Sequence, residues 1–435
     1  MLSSKNHFSE IRKYIPDLYF SFSQIFSQAG FQAILVGGAV RDIVLETNPK
    51  DFDFATDAKP EQVQQLFHRV IPTGIQHGTV TVRYKGQNIE VTTLRCENSY
   101  TDHRHPDEVI FTNKLEEDIK RRDFTVNALA ISLPDCKLLD YTNGLQDISA
   151  KCIRAIGKPI ERFSEDALRI FRALRFSARL DFSISSETLQ AMHEKAATIE
   201  KISKERIRDE WKKTLETNAL SRALPLICSL GITDSVMPKP NPEKTKKTFS
   251  NDFSNRLASL LPPDLSKQGS NWLWRMTTLI FCASDASIDE IHSWLMDHRY
   301  TKSETNSIIS KLQALQTPLP TSHAVSIRRF IKSIQPENWR ELLAARDACC
   351  LSLPSKEILE GLSREAERGV ISDISELAIN GEFIMQSLSI APGPHIGQLL
   401  RFLEQTVVET PESNTTQELL QLSIDFLTEK SIFRV

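Results

Sequence analysis

The sequence has few features of a secreted, membrane-bound or zinc-binding protein. Its seven cysteines form no Cys-x-x-Cys pair and are odd in number, which argues against a disulfide framework or a zinc site and predicts reduced thiols. No apolar run is long enough to span a membrane, and the first residues lack the apolar core of a signal peptide. We therefore expect a cytoplasmic protein without a membrane partner.

An excess of positive charge is also absent. The chain carries 53 Lys and Arg against 56 Asp and Glu, a formal net charge of -3, so any RNA contact must come from local basic patches. There is no internal repeat and no low-complexity tract. No His-Asp dipeptide occurs, so there is no sign of a fused phosphohydrolase module. A length of 435 residues with 40% hydrophobic residues predicts two to four ordinary domains.

A glycine pair follows a short apolar run near the N-terminus. Ala33 to Val36 predicts a buried strand that ends at Gly37 and Gly38, where the backbone must approach something closely. A helix is predicted from Ala39 to Leu45. Because unpaired amides at a helix N-terminus favour an anion, the turn is a candidate phosphate site.

A second predicted strand, Asp51 to Ala55, alternates acidic and aromatic residues. The alternation places Asp51 and Asp53 on one face and Phe52 and Phe54 on the other. Two adjacent carboxylates repel unless a cation lies between them, and oxygen ligands suit magnesium. Glu90, on a predicted strand from Gln87 to Leu94, is either a third acidic group or a solvated glutamate, and both interpretations stay open.

The glycine pair and the acidic strand are common patterns singly, but together they are distinctive. Leu-Val-Gly-Gly-Ala-Val-Arg-Asp (35–42) followed by Lys-Asp-Phe-Asp (50–53) resembles the head of the polymerase-beta-like nucleotidyltransferase superfamily. More narrowly, it resembles the branch that holds class II CCA-adding enzymes and bacterial poly(A) polymerases. Two further strings match that branch, Arg-Arg-Asp-Phe-Thr-Val-Asn-Ala (121–128) and Glu-Asp-x-x-Arg-x-x-Arg (165–172).

The resemblance implies an α+β fold. A catalytic head, a small mixed sheet with helices, is expected over 1–150, and an all-α remainder divides into a neck over 151–215, a body over 216–330 and a tail over 331–435. The neck carries 15 Lys and Arg against 10 Asp and Glu, so it is a fair place for anions, and the tail is expected to bind tRNA.

The segment from Glu165 to Leu180 is predicted as one amphipathic helix. Its apolar residues fall on one side, and the opposite side holds Asp166, Arg169, Arg172, Arg175 and Arg179. Such a face is usually only solvated. The resemblance implies instead that Asp166 accepts a hydrogen bond from the amino group of cytosine or adenine while Arg169 donates to the neighbouring ring acceptor. Uracil and guanine present a carbonyl there, so a mispaired polar group would exclude them.

The resemblance also implies the roles of the other site residues. Asp51 and Asp53 would hold two Mg²⁺ ions, one lowering the pKa of the primer 3′-hydroxyl and one clamping the triphosphate. The implied catalytic residues are Asp51, Asp53 and Glu90, and the implied nucleotide-binding residues are Gly37, Gly38, Arg41, Arg122, Asp123, Asn127, Asp166, Arg169, Arg172 and Arg175.

The implied activity is template-independent addition of C, C and A to the 3′ end of tRNA from CTP and ATP, with pyrophosphate released and no obligate protein partner. A bacterial poly(A) polymerase is the closest alternative; Thr73 to Val80 and the lack of a basic C-terminal tail favour CCA addition. An enzyme that adds only CC or only A is a third possibility, and the loop-like stretch from Cys96 to Asp107 argues against the CC-only form. A non-catalytic RNA-binding relative would be expected to have lost Asp51 or Asp53.

Overall fold

The computed structural model of the chain describes residues 7–97, 109–258, 260, 271–334 and 338–430. Most of the predicted loop between Cys96 and Asp107 therefore lies outside the described residues. The chain forms two compact units. The first holds the described residues up to Met237 together with Thr245–Ala258, and the second holds Pro238–Lys244 and the described residues after 258. The predicted division into four domains stays a prediction.

The strands all lie in the first unit, and the predicted mixed sheet is confirmed. Seven strands pair in the order β3-β4-β5-β2-β1-β8-β9, with β2 and β5 parallel and the other neighbours antiparallel. Two short ribbons, β6-β7 and β10-β11, complete the set. The strands are β1 (Ala33–Val36), β2 (Asp53–Thr56), β3 (Val70–Gly74), β4 (Thr79–Tyr84), β5 (Gln87–Thr93), β6 (Arg95–Glu97), β7 (Val109–Phe111), β8 (Leu129–Ser132), β9 (Lys137–Asp140), β10 (Cys152–Ile153) and β11 (Ser183–Ile184).

Helices make up the rest of the regular structure. Strands β10 and β11 lie inside the neck, which was predicted to be all-α, so that part of the prediction is wrong; no strand follows β11 in the described part of the chain. No helix in the described ranges is long and apolar enough to cross a membrane. The helices are α1 (His7–Arg12), α2 (Asp17–Gln28), α3 (Gly38–Val44), α4 (Pro60–Leu66), α5 (Leu115–Lys120), α6 (Gly144–Ser149), α7 (Pro159–Glu165), α8 (Leu168–Leu180), α9 (Ser186–Lys195), α10 (Lys204–Leu215), α11 (Leu224–Ser229), α12 (Pro242–Thr248), α13 (Asn251–Ala258), α14 (Asn271–Ala283), α15 (Ile288–Asp297), α16 (Lys302–Gln316), α17 (Ala324–Ile334), α18 (Trp339–Ala348), α19 (Lys356–Arg368), α20 (Gly381–Leu388), α21 (Pro394–Glu409) and α22 (Thr416–Glu429).

Aromatic packing fixes the position of β2 beneath the acidic residues. The ring of Tyr19 on α2 stacks on Phe52 at 4.3 Å between centroids, and Phe22 meets Phe54 edge-on at 5.0 Å. Phe52 and Phe54 are both buried. Because such rings bury large apolar areas and keep defined orientations, they hold the strand that carries Asp53 in place.

The predicted start of the acidic strand is wrong by two residues. Strand β2 begins at Asp53, which pairs with Val36, the last residue of β1. The chain turns at Gly37, so β1 offers no partner to the residues before Asp53. Asp51 is therefore exposed, two residues before the strand begins.

The predicted single helix from Glu165 to Leu180 is also wrong. Helix α7 ends at Glu165 and α8 begins at Leu168. Asp166 between them is extended, with φ -148° and ψ 102°. Its carboxylate accepts a hydrogen bond from the backbone N–H of Leu168 at 3.0 Å, a local interaction that competes with helix continuation.

The second unit has helical cores of its own. Near the C-terminus, Ile384, Leu399, Leu403, Leu419 and Leu427 are fully buried in one cluster. The buried guanidinium of Arg328 on α17 donates to Glu365 at 2.9 Å and to the carbonyl of Val408 at 2.7 Å. These contacts join α17, α19 and the end of α21.

Candidate active site

A cavity of about 540 Å³ in the first unit gathers the predicted site residues. Its walls come from the turn after β1, from β2 and β5, from the segment after α5 and from α8. All of the predicted catalytic and nucleotide-binding residues line it except Asp51, namely Gly37, Gly38, Arg41, Asp53, Glu90, Arg122, Asp123, Asn127, Asp166, Arg169, Arg172 and Arg175.

The turn after β1 brings backbone and guanidinium groups together. Gly37 has φ 75°, in the left-handed region that favours glycine. A Cβ on Gly37 would lie 3.8 Å from Nη1 of Arg122, and one on Gly38 would lie 3.5 Å from Nη2 of Arg41. Bare backbone with two cations beside it is a suitable environment for a polyphosphate.

Asp53 and Glu90 occupy equivalent places on two parallel strands. Phe54 of β2 pairs with Val91 of β5, so the residue before each faces the same side of the sheet. Glu90 is exposed and is part of the cavity wall. Burial, followed by the charges of Glu90 and Asp51, raises the pKa of Asp53 to about 6. The charges of Glu90 and Asp51 therefore both act on Asp53, although Asp51 lies outside the cavity wall.

The acidic residues suit magnesium, which needs only a few protein ligands. They do not suit a metal whose ligands all come from the protein. The described residues contain no group of three or more His, Cys, Asp or Glu side chains that could hold a metal ion. Magnesium is commonly bound by only one or two carboxylates, with water and substrate phosphates as the other ligands. Burial and the charges of Glu90 and Asp51 raise the pKa of Asp53 although Arg122 opposes them, and a bound divalent ion would offset the remaining negative charge. The residues present fit Mg²⁺.

Arg41 and Asn127 form a buried polar pair at the cavity. The Arg41 guanidinium is 1% exposed, and it donates to Asn127 Oδ1 at 2.5 Å and to Asp42 Oδ1 at 2.6 Å. Burial lowers the pKa of Arg41, although Asp42 opposes that change. Asn127 Nδ2 is buried with no hydrogen-bond partner. Because an unpaired buried donor is costly, an acceptor on a bound ligand would satisfy it.

Asp118 on α5 holds two arginines of the cavity wall. Its Oδ1 accepts from Arg121 Nη2 at 2.6 Å, and its Oδ2 accepts from Arg122 Nη2 at 2.9 Å. Burial alone would raise the pKa of Asp118, but the charges of Arg122 and Arg121 outweigh it and lower the pKa. Sequence reasoning missed Asp118. The signal was local, since an aspartate three and four residues before two arginines can reach both across one helical turn.

Asp123 is engaged with the protein itself. Its Oδ2 accepts from Arg172 Nε at 2.7 Å, and its Oδ1 accepts from the backbone N–H of Phe124 at 2.8 Å. Burial would raise the pKa of Asp123, but the Arg172 charge lowers it below the ordinary value. Asp123 therefore orients Arg172 toward the cavity in addition to lining it.

The charged side of α8 faces the cavity and α10. Arg175 donates to the buried Glu210 of α10 at 2.6 Å, and burial lowers the pKa of Arg175 although the Glu210 charge opposes that change. The centroid of the Phe176 ring lies 4.3 Å from the guanidinium carbon of Arg175. The same centroid lies 5.4 Å from the guanidinium carbon of Arg172 and 5.7 Å from that of Arg41. Sequence reasoning missed both Glu210 and Phe176. The segment that ends at Glu210 was interpreted as mainly structural, and the Phe176 side chain is apolar.

Asp166 and Arg169 both reach the cavity, and each is held by other residues. Asp166 accepts from Arg206 of α10 at 2.7 Å on Oδ2 and 3.3 Å on Oδ1. Arg169 is 8% exposed and donates to Glu165 at 2.6 Å and to the backbone carbonyl of Arg121 at 3.2 Å. Each carboxylate oxygen of Asp166 has two lone pairs, so an acceptor remains for a nucleotide base.

The fold and the cavity together define a nucleotidyltransferase with a polymerase-type head. Three family models match the chain: "Poly A polymerase head domain" over residues 33–154, "Probable RNA and SrmB- binding site of polymerase A" over 181–243, and "tRNA nucleotidyltransferase domain 2 putative" over 273–422.

Similar proteins narrow the class. The CCA-adding enzyme of Leuconostoc mesenteroides is 36% identical over 384 residues, which cover 87% of this chain and 89% of the relative. The CCA-adding enzyme of Latilactobacillus sakei is 35% identical over 396 residues, covering 90% and 94%. The crystal structure of the Bacillus stearothermophilus CCA-adding enzyme in complex with CTP superposes with a TM-score of 0.75 at 29% identity, covering 95% of this chain and 98% of that one. The chain belongs to the CCA-adding enzyme family.

Proposed function

We propose that this protein adds C, C and A to the 3′ end of tRNA without a nucleic-acid template, using CTP and ATP and releasing pyrophosphate. The observation that carries the proposal is the cavity in which the acidic residues of β2 and β5 face the arginines of α8 and the glycine turn. Direct attack of the tRNA 3′-hydroxyl on the α-phosphorus needs no covalent enzyme intermediate, so positioning and charge stabilisation carry the catalysis.

Asp53 and Asp51 would hold Mg²⁺, with Glu90 as an additional acidic group at the same face. The bound ion supplies a lowered pKa at the attacking hydroxyl and neutralises the triphosphate. The chain's own residues bind and orient the nucleotide. Gly37 and Gly38 let the triphosphate approach the backbone, beside Arg41 and Arg122.

The segment after α5 is proposed to contact the sugar and the phosphates of the bound nucleotide. Asn127 Nδ2 is the buried donor without a partner, so it is our choice for a hydrogen bond to the ribose or a phosphate oxygen. Arg122 is held by Asp118, and Arg172 by Asp123, so both guanidiniums are oriented before a ligand arrives. Such preorganisation reduces the entropy lost on binding.

Base choice is proposed to rest on Asp166 and Arg169. An acceptor on Asp166 matches the amino group of cytosine or adenine and repels the carbonyl of uracil or guanine. The bond from Arg206 fixes the direction of the Asp166 carboxylate. Selection by protein side chains accounts for addition without a template.

The C-terminal part of the chain is proposed to contact the tRNA. Residues 181–243 match the family model whose description names an RNA-binding site. Residues 273–422 match the family model whose description names a domain of tRNA nucleotidyltransferase. We retain the division into head, neck, body and tail at 150, 215 and 330. We place the reaction in the cytoplasm.

A poly(A) polymerase is the second candidate, since the head matches a family model with that description. Incubation of the protein with tRNA transcripts that lack zero to three terminal nucleotides, with each nucleoside triphosphate separately, distinguishes the products. We expect CTP to extend the transcripts that lack two or three nucleotides and ATP to extend only the transcript that ends in CC. An unlimited ladder of A would identify a poly(A) polymerase. If CTP extends no transcript and ATP extends only the one that ends in CC, the protein is an A-adding enzyme.

A further inference from the structure

Two cysteines of the second unit bring their sulfur atoms together. Cys282 lies in the last turn of α14, and Cys349 directly follows α18, 67 positions later in the chain. Their Sγ atoms are 2.9 Å apart. Neither residue belongs to the cavity of the first unit or to any motif used above.

The surroundings favour reaction at this pair. Both side chains are half-buried, so a small oxidant can reach them. Arg346, one turn before Cys349 on α18, is close enough to interact electrostatically with its thiol. A cation beside a thiol favours the thiolate, which is the nucleophilic form. Cys350 is exposed next to the pair and offers a competing thiol.

We propose that Cys282 and Cys349 form a reversible disulfide in the presence of a peroxide. The Cys349 thiolate attacks one peroxide oxygen and the O–O bond breaks, which leaves a sulfenic acid and hydroxide. The Cys282 sulfur then attacks the sulfenic sulfur, the S–O bond breaks and the S–S bond forms. The two thiols lose two electrons and two protons, and the peroxide becomes two water molecules. A dithiol reductant reverses the reaction by exchange.

The disulfide would tie the end of α14 to the end of α18. Cross-linking residues 67 positions apart restricts the unfolded chain, so the oxidised second unit should resist thermal unfolding better than the reduced one. The catalytic cavity uses neither cysteine, so this proposal does not depend on the proposed function. It adds a redox-sensitive site to a chain whose thiols are otherwise expected to stay reduced.

The test uses the full-length protein treated with increasing hydrogen peroxide, then alkylated, digested without reduction and examined by mass spectrometry. We expect a cross-linked peptide pair containing Cys282 and Cys349, loss of alkylation at both residues at the same peroxide dose, and recovery with dithiothreitol. The midpoint of thermal unfolding should rise on oxidation and return on reduction.

Cysteine-to-serine variants test which thiols form the disulfide. Cys282→Ser and Cys349→Ser should each abolish the cross-link and the stabilisation, whereas Cys228→Ser, at a half-buried cysteine of the first unit, should retain both. The proposal is overturned if Cys349 pairs with Cys350, if cross-links form only between molecules, or if the two thiols oxidise independently. If a variant does not fold, the alkylation pattern of the unaltered protein decides the question by itself.

Discussion

Replacing Asp53 with asparagine should abolish nucleotidyl transfer and at the same time stabilise the metal-free protein. Asparagine keeps the size of the side chain but removes a charge that burial, Glu90 and Asp51 disfavour. The pKa of Asp53 is raised to about 6 from an ordinary value of 3.8. That difference corresponds to about 3 kcal/mol of unfolding free energy, an upper estimate for a partly solvated group.

The sign of the pH dependence follows from the raised pKa. The folded protein binds the Asp53 proton more tightly than the unfolded chain does. The stabilising contribution of the protonated group is therefore fully present below pH 3.8 and is lost as the pH rises through about 6. Above that pH the charged carboxylate destabilises the folded state, and Asp53→Asn removes this penalty.

The assay is denaturant unfolding of both proteins in EDTA, at about pH 8 and about pH 4. At the higher pH we expect Asp53→Asn to unfold at a higher denaturant concentration than the unaltered protein, because its free energy of unfolding is larger by up to about 3 kcal/mol. At the lower pH this difference should shrink toward zero. Asp252→Asn, at an aspartate whose side chain is 84% exposed, is the matched control and should change stability by less than about 0.5 kcal/mol. An Asp53→Asn protein that is less stable at about pH 8, or that gains equally at both pH values, would refute the reasoning.

Four further substitutions test the predicted site residues and Asp118. Asp51→Ala should abolish transfer with every nucleotide in a standard incorporation assay, while Glu90→Ala should cause a weaker loss; a wild-type rate in the first would remove the metal assignment, and one in the second would mark Glu90 as a solvated residue. Asp118→Asn should raise KM for CTP and ATP by about ten-fold, since it weakens the support of two arginines, with a smaller change in kcat; an effect on kcat alone would contradict that role. Asp166→Ala should raise misincorporation of UTP or GTP relative to CTP and ATP by roughly ten-fold on a tRNA that lacks its CCA end, because each lost polar contact is worth on the order of 1–3 kcal/mol. An equal slowing of all four nucleotides would show that Asp166 does not read bases.

The parts of the site that local sequence patterns specify could be predicted. The run of apolar residues before Gly37 and the alternation around Phe52 and Phe54 depend on neighbours within a few positions and predict two strands, whereas the mixed sheet was implied by the family resemblance. The same patterns could not give the first residue of β2. That boundary depends on where β1 ends, 17 positions earlier at Val36, opposite Asp53.

Contacts between distant residues set the rest of the site. The carboxylate of Asp166 is paired with Arg206, 40 positions later, and Arg175 is paired with Glu210, 35 positions later. Helical periodicity placed Asp166 on a continuous helix because nothing nearby shows that its carboxylate would accept a hydrogen bond from the backbone N–H of Leu168 instead. Asp118 is different, since its spacing to Arg121 and Arg122 is local and the pairing could have been predicted from the sequence.

The central claim is that one cavity adds three specified nucleotides and then stops. The most direct measurement is a single reaction on a tRNA transcript that lacks its three terminal nucleotides, with all four nucleoside triphosphates present and the 3′ ends of the products sequenced. The proposed function predicts products that end in CCA with no further extension, and none of them with Asp53→Asn. Products that end in a run of A, in CC alone or in mixed nucleotides would contradict it.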